Sequence, residues 1–102
     1  MNTFSKSIFA AILVLASQAA AAASWFEANG ESCFNVCQAH RLNAITSGVY
    51  RVNGNPFYIC RANPGREGYR AGYNLQPNWS SKCFVGYSGQ EQGIESYQCL
   101  CQ

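Results

Sequence analysis

The chain has 102 residues, of which 48% are hydrophobic, 14% aromatic and only 12% charged, with a formal net charge of +2. Such a near-neutral balance lacks the electrostatic footprint of a nucleic-acid binder and supplies no basic helix for a membrane surface. Aspartate is absent, which leaves few hard oxygen donors for a calcium site.

The first element in chain order is a leader. Lys6 precedes an apolar run from Ile8 to Ala16, and Ala21, Ala22 and Ala23 supply an A-x-A cleavage site before Ser24. This pattern predicts a secretory signal peptide over residues 1–23 and a single domain over residues 24–102. The apolar run is too short to cross ~30 Å of hydrocarbon, and no cysteine sits at the cleavage point to take a lipid. The expected location is extracellular, or periplasmic if the source is Gram-negative. Without Lys6 the remainder holds six basic side chains against five glutamates, a net charge of +1.

All six cysteines, Cys33, Cys37, Cys60, Cys83, Cys99 and Cys101, follow the leader. A core of this size is marginal without a further restraint on the unfolded chain, and three disulfides in an oxidising compartment provide one. The segment Glu31 to Leu42 is the one good helix candidate; Ser32 caps it, and the four-residue spacing of Cys33 and Cys37 puts them on one face. Short strands and turns follow. Gly48–Val52 is extended, Asn53-Gly54-Asn55-Pro56 turns, Phe57–Ala62 is a strand and 63–68 is a loop. Tyr69–Leu75 is extended or irregular, with Gly68 and Gly72 as breakers. Gln76-Pro77-Asn78 turns, Cys83–Tyr87 is a strand, Ser88–Gly93 turns and Ile94–Cys101 closes the chain. The expectation is a mainly β class: a small antiparallel domain with one short N-terminal helix, stapled by disulfides. Cys99 and Cys101 share one strand face, so two bonds can join the helix to the last strand. Cys60 and Cys83 then pair as mid-strand residues on neighbouring strands. The spacing favours this set, while sequence alone permits many others.

Catalytic and metal readings find little support. Cys33-x3-Cys37-x2-His40 lacks a proper second half for zinc, and disulfides compete for the thiols. His40, the only histidine, has no partner legible in sequence for catalysis and fits a helix C-terminus. Glu91 and Glu95 fall in a predicted turn, where solvated carboxylates are the common outcome. The expectation is a non-enzymatic protein with no metal and no cofactor.

From Ala44 to Leu100 the chain reads AITSG, NGNPFYICRA, EGYRAGYNLQP, CFVGYSGQE and YQCL. This ordered set resembles the DM9 repeat, whose pattern runs from a glycine-containing entry through a D/N-G turn, an apolar-Y-V-x-R-A strand and a P-G-K step to C-y-v-p-y-g-G-k-E and Y-E-V-L. Gly54, Tyr58, Ile59, Arg61, Ala62, Gly72, Cys83, Val85, Tyr87, Gly89, Glu91, Tyr97 and Leu100 carry the likeness. The resemblance implies a β-sandwich recognition domain, with carbohydrate binding as in the lectins of that family. It also implies a homodimer, because one repeat stands where the lectins have two. Tyr50 occupies the region of the family's sugar-binding aspartate, and Tyr73 the position of its lysine. The expected ligand-binding residues are therefore Tyr50, Arg70, Tyr73, Asn74, Gln76 and Trp79. The expected partner is a glycan. The alternative is an extracellular protein, which would make the chain an effector or inhibitor.

Overall fold

The computed structural model describes residues 22–76 and 80–102. The signal-peptide reading of residues 1–23 thus lies outside the described residues, apart from Ala22 and Ala23. The fold is mainly β. Strand β1 spans Ser24–Asn29, helix α1 Cys33–Ala39, β2 Thr46–Val49, β3 Pro56–Ala62, β4 Arg70–Asn74, β5 Cys83–Tyr87, β6 Gln90–Ile94 and β7 Ser96–Cys101. The strands form one antiparallel sheet in the order β1-β7-β3-β4-β5-β6, with β2 paired to β3.

Helix α1 is shorter than the segment from Glu31 to Leu42 because its caps are decisive. Ser32 Oγ accepts the Asn35 amide at 3.2 Å, satisfying one of the free first-turn N–H groups. At the other end Arg41 takes φ 60°, Leu42 N donates to Cys37 O and Arg41 N to Gln38 O. That pair of bonds is a left-handed Schellman stop. Leu42 then packs against the core, and His40 stacks on Phe26 with ring centroids 4.0 Å apart.

Three other expectations change. The first strand, β1, carries no turn signal before it and was not expected; it forms because Ser24–Asn29 aligns with β7 from Ser24↔Cys101 to Asn29↔Ser96. Residues 88–93 are not one turn. The chain reverses on Ser88 and Gly89 alone, at φ 55° and 79°, the geometry of a two-residue hairpin. Gln90–Ile94 then pairs back on β5, and a break at Glu95 separates β6 from β7. The strand expected at Gly48–Val52 starts earlier, at Thr46–Val49, because the residues before it are drawn between the ends of β7 and β3: Ile45 N donates to Leu100 O, and Ile59 N to Ile45 O.

The disulfides are Cys33–Cys99, Cys37–Cys101 and Cys60–Cys83. The first two fix α1 as parallel rungs on β7. The third corrects one expectation, since β3 and β5 are not neighbours: β4 runs between them. The Cα atoms of Cys60 and Cys83 nevertheless lie 6.0 Å apart, about the spacing of adjacent strands rather than of strands two apart. The sheet folds sharply over β4 to allow this. Gly72 makes the fold possible, because a Cβ there would overlap the Phe84 carbonyl oxygen and lie 2.5 Å from Val85 Cγ1. The roll carries Val85 and Ile94 over Ala28, Ala62 and Tyr97, closing the core.

That core is largely sulfur. Every cysteine is fully buried, and among the described residues Tyr97, 2% exposed, is the one fully buried aromatic, with Phe26 and Tyr58 packed against the cluster. The one buried polar side chain among the described residues is Asn74, which acts as a hub. Its Oδ1 accepts the Cys33 amide at 3.1 Å. Its Nδ2 donates to Ser80 O at 2.6 Å and Lys82 O at 2.8 Å. Asn74 thereby ties the first turn of α1 to the segment entering β5. The Tyr97 hydroxyl donates to the Glu31 carbonyl beside it, and burial pushes its pKa up to about 12.

Candidate functional site

Strand alternation turns Phe26 and Tyr58 inward against the core and assigns a second set of aromatics to the outer face of the sheet. Trp25 is opposite Leu100, Ile59 opposite Tyr73 and Tyr73 opposite Phe84. These half-buried side chains form an apolar row across the sheet on the side away from the cystines. Phe57 and Tyr50 extend it. Their rings each lie 5.5 Å from that of Tyr73, and the Phe84 ring lies 6.0 Å away.

The residues expected from sequence to bind a ligand therefore disperse. Tyr50 and Tyr73 come together in the outer aromatic cluster. Arg70 is on β4 three residues before Tyr73, an odd spacing that turns it to the other face. It is exposed there, donates to Gly86 O at 3.1 Å and stacks 5.4 Å from the Tyr87 ring. Asn74 corrects the expectation most clearly: it is 0% exposed and its amide is engaged inside the fold, so it offers a ligand nothing. Gln76 is held by the hairpin loop, its carbonyl accepting from Asn53 and Asn55 and its side chain donating to Asn74 Oδ1. Trp79 lies outside the described residues.

A second group on the outer face has the more complete chemistry; of its members the sequence singles out only Tyr69, as a candidate recognition aromatic beside Tyr73 and Trp79. The Arg61 guanidinium is sandwiched between two rings, with Cζ 4.2 Å from the Trp25 centroid and 4.3 Å from the Tyr69 centroid. Its Nε donates to Gln98 Oε1 at 2.7 Å, and Gln98 Nε2 donates to Glu27 Oε1 at 2.7 Å. The register explains the ladder, since Glu27 is opposite Gln98 and Gln98 opposite Arg61. Stacking covers both faces of the guanidinium, and the amide bond fixes its rotation. Beside the ladder opens a cavity of about 190 Å³, lined in part by Glu27, Asn63, Tyr69, Ser96 and Gln98. Tyr69 is half exposed. A carboxylate, two amides, a hydroxyl and the Tyr69 ring thus line one small cavity closed by Ile94 and Tyr97, and the Arg61 guanidinium stands next to it, joined to the lining through Gln98 and Tyr69. The partial signal in sequence was the same-face spacing of Trp25 and Glu27; nothing local indicated that Arg61 and Gln98 would join them.

Fold and site define a disulfide-clamped β domain with an aromatic and guanidinium outer face. Comparison with protein-family models, with curated proteins and with solved structures finds no match. No described helix is long and apolar enough to cross a membrane.

Proposed function

We propose that the chain is a secreted, non-enzymatic recognition domain that binds carbohydrate through the outer face of its sheet. The observation that carries this reading is the Trp25–Arg61–Tyr69 stack beside a cavity lined by Glu27, Asn63, Ser96 and Gln98. Sugar rings present C–H faces that pack on aromatic rings and hydroxyls that need planar, fixed hydrogen-bonding groups. The ladder has both, and the cavity is of the order of one sugar ring. Three disulfides suit an oxidising compartment, which supports secretion. The likeness to the DM9 repeat supports the same function, with Tyr50 and Tyr73 as an aromatic extension of the site in place of that family's charged pair.

The test is a glycan array followed by calorimetry on the folded, oxidised protein. A hit whose affinity drops about tenfold or more in Tyr69→Ala, a loss in the range of a stacking contact, is the expected result. Absence of binding to every glycan overturns the reading. A protein-interaction module is the second reading, favoured by Val49 and Val52, 58% and 75% exposed at the β2–β3 hairpin. Capture of one protein partner, insensitive to competing sugars and lost in Val52→Ser, selects it.

A further inference from the structure

We infer that the ligand at this site carries a carboxylate, held by Arg61, so that the glycan is an acidic one built on a uronic or sialic acid. This rests on the carbohydrate reading above and narrows it.

The argument begins with what Arg61 lacks. Among the described residues its side chain makes one hydrogen bond, from Nε to Gln98, and no carboxylate lies within ion-pair distance. The two terminal Nη groups thus keep their donors while the rings of Trp25 and Tyr69 cover the faces of the plane. A half-buried guanidinium in water gains little by itself, because its charge is partly desolvated. Stacking immobilises it before any ligand arrives, so a ligand need not supply the ordering entropy. Its remaining edge is a planar fork of two N–H donors, the geometry that matches the two oxygens of a carboxylate.

The neighbours agree with an acidic sugar rather than a bare anion. Glu27 is the nearest carboxylate along the ladder, and it is held off Arg61 by the intervening Gln98 amide. A simple anion would be repelled by Glu27 with nothing in return. A sugar acid seated in the cavity presents hydroxyls to Glu27, Asn63 and Ser96 and reaches past Gln98 and Tyr69, which join the cavity to Arg61, to place its carboxylate on the guanidinium. Tyr69 lines the cavity and also stacks on Arg61, so its ring edge joins the two halves of the site.

Calorimetry on the oxidised full domain with trigalacturonic acid, its methyl ester, sialyllactose, lactose and a glutamate-rich peptide tests this. The expected result is binding of at least one acidic sugar, with its uncharged counterpart about tenfold weaker or more, the usual span for a charge-assisted pair. Arg61→Lys is expected to lose most of that difference, because a point ammonium neither stacks nor forks. A melting curve confirms that this variant folds, and Arg61→Gln repeats the measurement without charge. Equal affinity for charged and neutral sugars overturns the acidic-ligand inference and leaves the carbohydrate reading standing. Failure of all sugars overturns both. Binding of the peptide alone, with the same dependence on Arg61, overturns the glycan and retains the carboxylate.

Discussion

The two faces of the sheet contrast in what fills them. The inner face is closed by three cystines, small apolar side chains, Tyr97 and Asn74, with Phe26 and Tyr58 packed at its margin. The outer face holds the large rings: Trp25, Phe57, Tyr73 and Phe84, with Tyr50 and Tyr69 beside them. In most small domains aromatics supply the apolar area that the core needs. Here covalent cross-links restrain the unfolded chain, and these six rings are released to the outer face. A disulfide core and an aromatic surface are thus two sides of one arrangement, and each can be disturbed without the other.

The sharpest break of the inner face is removal of both helix rungs. Cys33→Ala/Cys37→Ala/Cys99→Ala/Cys101→Ala frees loops of 66 and 64 residues, and roughly 4 kcal/mol of stability or more is expected to go with them. Chemical denaturation will read it. Removing one rung alone should cost well under the full amount, since the other still closes the long loop. Equal losses for one rung and two would contradict the parallel arrangement.

Gly72→Ala comes next, at about 3 kcal/mol, because the new methyl meets β5 backbone that cannot retreat while Cys60 and Cys83 stay bonded. Its effect should shrink in a Cys60→Ala/Cys83→Ala background, where β5 is free to move; thermal melts of the four combinations give the coupling. Asn74→Ala is expected to cost about 2 kcal/mol by stranding the Cys33 amide and two carbonyls. Since Asn74 is inside, glycan affinity should stay unchanged in that variant at temperatures where it is folded.

Tyr97 gives a smaller, pH-dependent effect. The fold holds its proton more tightly than the unfolded chain does, with a pKa near 12 against 10.0. The stability it contributes is complete below pH 10 and is lost as pH rises toward 12. Denaturation midpoints across that window should fall in the native protein and less steeply in Tyr97→Phe. On the outer face, Tyr69→Ala is expected to change stability by less than ~1 kcal/mol, as its ring is half exposed, while it weakens ligand binding.

Much of the architecture was legible residue by residue. Cys33 and Cys37 share a helix face and Cys99 and Cys101 a strand face, so periodicity alone narrowed the pairing that the structure contains. Ser32 as cap, the turn at Asn53-Gly54 and the strand Cys83–Tyr87 follow from local backbone preferences. The candidate site was legible only in part. Tyr50 and Tyr73 do meet, but Arg70 and Asn74 were grouped with Tyr73 by closeness in sequence. Once Arg70–Asn74 is a regular strand, even spacing puts those two together and odd spacing sends Tyr73 to the opposite face.

The sequence by itself determined the class: a small, cystine-restrained, mainly β chain with one capped helix, because composition, periodicity and turn chemistry act over a few residues. Only the tertiary structure decided which side chains became core and which became surface. Cross-strand register joined Glu27, Gln98 and Arg61 from β1, β7 and β3, and the fold over Gly72 gave Cys83 its partner across an intervening strand. Those outcomes depend on how distant segments align, and hydrogen-bond register is a property of the pair of strands rather than of either one.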